Sequence, residues 1–180
     1  MQVRFGYGLL EHRDKGGNGL GELCEKVRQT YPAIKTYINE WNDDWEGLLE
    51  STMHEAPHII VVHSYAMAKA IQAIKRLQKQ MSIFKLIAID GVPRWLDWQW
   101  QWSSWNLPDN IMLATAYYQN NQTIPRSCLI RNPRRGWNNI DLTKDGVNHA
   151  TICHSATVWN DVVASIDLAK RMETVGAFQL

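Results

Sequence analysis

The sequence predicts an α/β protein with a parallel sheet of about six strands and helices on both faces. Three observations carry this. Short apolar segments of strand length alternate with amphipathic helical segments along the chain, the signature of a parallel sheet. The segment Ile59-Ile60-Val61-Val62 is apolar on both faces, as a central parallel strand should be. At 180 residues the chain suits a single domain spanning 1–180.

Val3 and Phe5 alternate with polar neighbours and run into Gly6-Tyr7-Gly8, a short strand ending in a tight turn. After a glycine-rich stretch, Leu20, Leu23, Cys24, Val27 and Tyr31 recur at helical spacing, and Pro32 ends that helix. Residues 33–38 form a second strand. Trp45, Leu48, Leu49 and Met53 mark a second helix, with Asp43 or Asp44 as its cap. The Ile59–Val62 strand leads into His63-Ser64-Tyr65 and a helix that buries Met67, Ala70, Ile71, Ile74 and Leu77. A strand over Phe84–Ile89 ends in Asp90-Gly91, and further strands follow at Ile111–Tyr117 and Ile140–Leu142. The last helix buries Val158, Val162, Val163, Ile166 and Ala169. In such sheets ligands bind at the carboxyl ends of the strands. The Gly6 turn, Ser64, Asp90 and the loop around Asn120-Asn121 meet at that edge.

Composition narrows the function. Nineteen Lys and Arg against eighteen Asp and Glu give a formal charge of +1, which argues against a dedicated nucleic-acid surface. No stretch approaches the ~20 apolar residues of a membrane helix. MQVRFGYGLL lacks a signal-peptide layout. Cys24, Cys128 and Cys153 form neither a disulfide framework nor a zinc pattern, so the expectation is a reduced, cytoplasmic setting. No metal or organic cofactor is implied, and the oligomeric state is open.

Ser64 occupies the junction of a buried strand and an amphipathic helix, the position of a nucleophile elbow. A sharp turn there lifts the hydroxyl above the sheet and presents the Tyr65 N–H, at a helix N-terminus, to an oxyanion. Gly-x-Ser-x-Gly is the usual pattern, and here it reads Val62-His63-Ser64-Tyr65-Ala66. Ser64 as a simple helix cap is the competing reading. Of six histidines, His149 lies in the loop between the last strand and the last helix, from which a base reaches the same edge. His154 is the second choice, and a loop histidine without catalytic work is the plain alternative.

Taken together, Phe5-Gly6-Tyr7-Gly8, His63-Ser64-Tyr65-Ala66, Asp90-Gly91-Val92-Pro93-Arg94, Leu107-Pro108 and Gly146-Val147-Asn148-His149 resemble a minimal α/β-hydrolase. The likeness is to the small bacterial lipases and cutinases that lack a large cap. It implies a serine esterase acting on a lipid or other small acyl ester. Ser64 would be the nucleophile and His149 the base and then acid. The Tyr65 N–H would form half of the oxyanion hole and the Tyr7 N–H the other half. The family's acid usually follows the strand that ends here at Tyr117-Tyr118, where the chain has Gln119, Asn120 and Asn121 and no carboxylate. Asn121 could orient His149 by a hydrogen bond but could not stabilise imidazolium as a charge does. Among the carboxylates Asp90 ranks first because it ends a rigid strand at the correct edge, ahead of Asp145 and Asp141. A turn-starting Asp before Gly91 is the alternative reading of Asp90.

Five of nine tryptophans fall between Trp95 and Trp105. Trp98, Trp100 and Trp102 alternate with Gln at strand spacing, and Trp95, Trp98, Trp102 and Trp105 also fit one helical stripe, which packs on the sheet or forms an aromatic wall for substrate. Trp95, Trp98 and Asn121 are therefore the candidate substrate-binding residues. Arg126, Arg131, Arg134 and Arg135 cluster beside Trp137, either as a solvated loop or as an anion-binding surface. The rival function is a catalytically degenerate hydrolase fold that binds a partner through its Trp-rich and Arg-rich surfaces. A cysteine enzyme using Cys153 with His154 is a weaker third, since neighbouring residues rarely present both side chains to one site.

Overall fold

A computed structural model describes residues 1–8, 19–92, 104–121, 129–131 and 133–176. Six parallel strands form the sheet: β1 (Gln2–Gly6), β2 (Lys35–Asn39), β3 (His58–His63), β4 (Ile83–Ile89), β6 (Ile111–Tyr118) and β8 (Trp137–Asp141). Their spatial order is β2-β1-β3-β4-β6-β8. A separate two-stranded parallel pair joins β5 (Ser104–Trp105) to β7 (Leu129–Ile130). Because all six strands run the same way, Gly6, His63, Ile89, Tyr118 and Asp141 end at one edge.

The helices are α1 (Gly19–Thr30), α2 (Trp45–Glu50), α3 (Ala66–Arg76) and α4 (Ala156–Thr174). Two apolar layers follow from strand alternation. Ile60 and Val62 of β3 pack with Trp45 and Leu49 of α2 and Met67, Ala70 and Ile74 of α3. Ile59 and Val61 face the other way, toward Leu20, Leu23 and Val27 of α1 and Val158, Val162 and Ile166 of α4. Asp44 caps α2 through Gly47 N, at 3.1 Å, and Ser155 caps α4.

The alternation in β1 has a different physical basis from the one its sequence suggests. Gln2 and Arg4, the polar neighbours of Val3 and Phe5, are also buried. Arg4 donates to Asn39 Oδ1 at 2.7 Å, to Leu48 O at 3.1 Å and to Thr52 Oγ1 at 3.0 Å, and its guanidinium lies over the Tyr37 ring. Burial is tolerated because these donors have partners. Lys85 is held in the same way inside β4. Its Nζ donates to Thr115 Oγ1 at 2.6 Å and lies 3.4 Å from Asp161 Oδ1, while burial pushes the amine below its usual range.

Among the described residues no helix is long and apolar enough to cross a membrane.

Candidate active site

Three carboxyl-edge turns build the site. Ser64 follows β3 directly and takes φ 54°, a left-handed conformation that L-residues rarely adopt. The turn is stitched to its neighbour on both sides. Ser64 N donates to Ile89 O at 3.0 Å, and Ser64 O accepts from Val92 N at 3.1 Å. Asp90 follows β4 with φ 46°, and its N–H extends the ladder to Tyr117 O at 2.7 Å. Ser64 and Asp90 are thus fixed by the hydrogen-bonded ends of adjacent strands.

The unusual Val62 fits this elbow because of its partner across the ladder. Val62 pairs with Gly6 of β1, and a Cβ on Gly6 would lie 3.0 Å from Val62 Cγ1. Ala66 is fully buried at the start of α3. Gly91 lets the Asp90 turn approach α3, since a Cβ there would lie 3.0 Å from Met67 Cγ.

His149 comes from the loop after β8. Asn148 folds that loop as an Asx turn, its Oδ1 accepting from Ala150 N and Thr151 N at 3.0 and 3.1 Å. The buried Ile152 and Cys153 anchor it on the far side. Two further contacts hold His149 itself. His63 Nε2 lies 3.0 Å from the His149 carbonyl oxygen, which makes that nitrogen the donor. The two imidazole rings lie 4.6 Å apart between centroids.

The resulting chain is continuous. Ser64 Oγ lies 2.9 Å from His149 Nε2, and His149 Nδ1 lies 2.7 Å from Asp90 Oδ2. The carboxylate accepts from Nδ1–H, which leaves Nε2 as the acceptor for the serine hydroxyl. Asp90 is fully buried and Ser64 nearly so, whereas His149 is partly exposed. Gln119 Nε2 makes a second donation to Asp90 Oδ2, at 3.0 Å.

The other candidates divide. Tyr65 precedes α3 in helical conformation, and its N–H meets no acceptor among the described residues. Tyr7 does not fill the matching role. Its N–H donates to Asn39 O at 2.9 Å, because the β1–β2 ladder runs one residue past Gly6. Asn121 serves the histidine loop: its Nδ2 donates to Val147 O at 2.7 Å and to Thr143 O at 3.0 Å. Asp141 turns toward the backbone and side chain of Thr143, and Asp145 sits in a short 3₁₀ turn, so Asp90 alone of the three carboxylates meets His149.

Trp95 and Trp98 lie outside the described residues, as do Trp100, Trp102, Arg126, Cys128 and His12. Trp105 packs against the α3-side core. Arg134 is engaged internally, donating to Asp109 O and Ile111 O and lying over the Trp137 ring. Cys153 is buried in the α1–α4 layer, and His154 pairs with Glu22 at 3.6 Å. Sequence reasoning passed over Gln119 and His63 as site residues. Both flank the predicted positions, at one residue past a strand end and one before the serine. An aromatic pair, Trp41 against Tyr65 at 5.3 Å, also borders the serine turn.

Comparison with known proteins finds no matching family model and no matching curated protein.

Proposed function

We propose that this protein is a serine hydrolase that cleaves an ester, of a lipid or another acyl compound, through an acyl-enzyme. The observation that carries the reading is the unbroken chain from Ser64 Oγ through His149 to the buried Asp90, set at a strand-to-helix elbow with φ 54°. A left-handed serine is costly backbone, and such strain concentrates at functional sites. The chain order serine, aspartate, histidine is that of the α/β-hydrolases, in keeping with the resemblance in the sequence.

The chemistry follows from the geometry. His149 Nε2 takes the proton as Ser64 Oγ attacks the carbonyl carbon. Asp90 stabilises the imidazolium that forms and keeps Nδ1 protonated throughout. The Tyr65 N–H, at the N-terminus of α3, faces the developing oxyanion. His149 then protonates the leaving alcohol, which departs and leaves the acyl group on Ser64. A water attacks the acyl-enzyme with His149 again as base, and the acid is released with Ser64 restored.

The rival reading, a binding role on a degenerate scaffold, assumes that no competent acid is present, and the contact between Asp90 and His149 favours the hydrolase over it. The deciding experiment uses a fluorophosphonate probe, with the adduct located by mass spectrometry and Ser64→Ala as control. Stoichiometric labelling confined to Ser64 is expected. A folded protein that takes up no probe would sink the proposal.

A further inference from the structure

We infer that Gln119 is a positioning residue for this chain, setting the orientation of Asp90 and linking it to the loop that carries His149. The inference rests on the hydrolase reading of the site. Gln119 directly follows β6 and is 1% exposed. Its Nε2 donates to Asp90 Oδ2 at 3.0 Å, and its Oε1 accepts from Asn121 N at 2.8 Å. These partners fix the amide orientation, since a flipped amide would set an oxygen against the carboxylate and an NH₂ against an N–H.

The consequence is a closed circuit of contacts. Asp90 Oδ2 receives both the His149 Nδ1–H and the Gln119 Nε2–H, so the carboxylate is held from two directions about one oxygen. Asp90 Oδ1 is buried with no hydrogen-bond partner among the described residues, so Oδ2 is the oxygen through which the carboxylate is oriented. From Gln119 the circuit passes to Asn121, whose Nδ2 donates to Val147 O, two residues before His149. One amide thus ties the acid to the histidine loop. Asp90 follows β4, two strands from β8, whose following loop carries His149, and Gln119 at the end of β6 stands between them.

Gln119→Met removes both hydrogen bonds at similar volume, and Gln119→Glu keeps the shape while adding a second carboxylate beside Asp90. With a short p-nitrophenyl ester, Gln119→Met should lower kcat about 10- to 100-fold, as expected when a hydrogen bond to a charged group is lost, with KM nearly unchanged. Gln119→Glu should lie nearest to wild type at low pH, where one proton is shared between the two carboxyls, and fall further behind as pH rises and both ionise. A glutamine that only supports the fold would leave kcat of the folded Gln119→Met variant and its His149 Nδ1–H resonance at their wild-type values. Wild-type labelling at Ser64 together with wild-type kinetics in both variants would overturn this inference and spare the hydrolase reading. Failure of wild-type labelling would overturn the hydrolase reading instead. The low-field proton resonance of His149 Nδ1–H then decides on Gln119. It should shift or broaden in both variants, and an unchanged resonance would overturn the positioning role.

Discussion

Gly6 and Val62 face one another across the β1–β3 ladder, and the missing side chain on one makes room for the branched side chain on the other. The same glycine lies under the Trp45 ring, where a Cβ would sit 2.6 Å from Cη2 and Cζ2. Gly6→Ala should therefore destabilise the protein by about 1–3 kcal/mol, the usual cost of overpacking a well-filled core. Because Val62 sits two residues before Ser64, the same change should disturb the elbow and slow probe labelling. A thermal melt and a labelling time course check the two effects. An unchanged melting temperature would show that Trp45 moves aside freely.

The strained serine gives a second prediction. At φ 54° an L-residue costs roughly 1–2 kcal/mol relative to right-handed backbone, and glycine escapes most of this. Ser64→Ala and Ser64→Gly both remove the hydroxyl and its contact with His149. They differ mainly in backbone tolerance. Ser64→Gly should be the more stable of the two by about 1 kcal/mol, although glycine's freer unfolded chain works against it. Both should be unreactive. Equal urea midpoints for the two variants would mean that the elbow stores no such strain.

Asp90 provides the test of the relay itself. An asparagine there leaves the volume intact but cannot stabilise imidazolium as a charge does, and it favours the wrong histidine tautomer. In a serine protease the corresponding change lowers turnover by ~10⁴, and Asp90→Asn is expected to lower kcat here by about 10³–10⁴. Asp141→Asn and Asp145→Asn should stay within severalfold of wild type, since neither carboxylate reaches His149. Ester hydrolysis at saturating substrate measures all three. Undiminished turnover in Asp90→Asn would remove Asp90 from the mechanism.

Much of this arrangement was legible in the sequence, for identifiable reasons. The central strands β3, β4 and β6 stand out because buried parallel strands are short apolar runs separated by amphipathic helices. By contrast β8 is polar and half-exposed, so its sequence suggests a strand only at Ile140–Leu142, while the strand formed is Trp137–Asp141. Ser64 and His149 stand out because each occupies a junction that the topology delivers to one sheet edge. What escaped depends on contacts between distant segments. The Tyr7 N–H is used up because the β1–β2 ladder runs one residue further than its apolar pattern suggests. Gln119 is a lone amide in a polar loop until Asp90 is placed beside it. Arg4 and Lys85 sit at positions that binary patterning assigns to water, and only their partners from α2's surroundings and α4 explain their burial. Among the described residues the β5–β7 pair is two residues long on each side, too short to register as periodicity.

His58 should make stability depend on pH. The ring opens β3 and is buried, with Nδ1 2.6 Å from Gln2 Nε2 and Nε2 3.0 Å from Met53 O. Gln2 Nε2 is a donor, so Nδ1 accepts and Nε2 donates, which is the neutral imidazole. A proton on Nδ1 would face an NH₂ group at hydrogen-bond distance. Burial, aided by the nearby Arg4 charge, holds the His58 pKa below the ordinary histidine value. In the unfolded chain the same histidine titrates near ~6.5. Below that pH the unfolded state binds a proton that the native state refuses, so the stability contribution is complete above about pH 6.5. It declines on acidification, with a slope of at most ~1.4 kcal/mol per pH unit, until the native pKa is reached. Urea unfolding of wild type and His58→Gln at neutral and mildly acidic pH isolates this contribution from the other titrating groups. The variant starts less stable, because the Met53 and Gln2 contacts are perturbed, and the gap to wild type should narrow as pH falls from 7.5 to 5. A gap that stays constant across that range would mean that His58 takes up its proton in the native state as readily as in the unfolded chain.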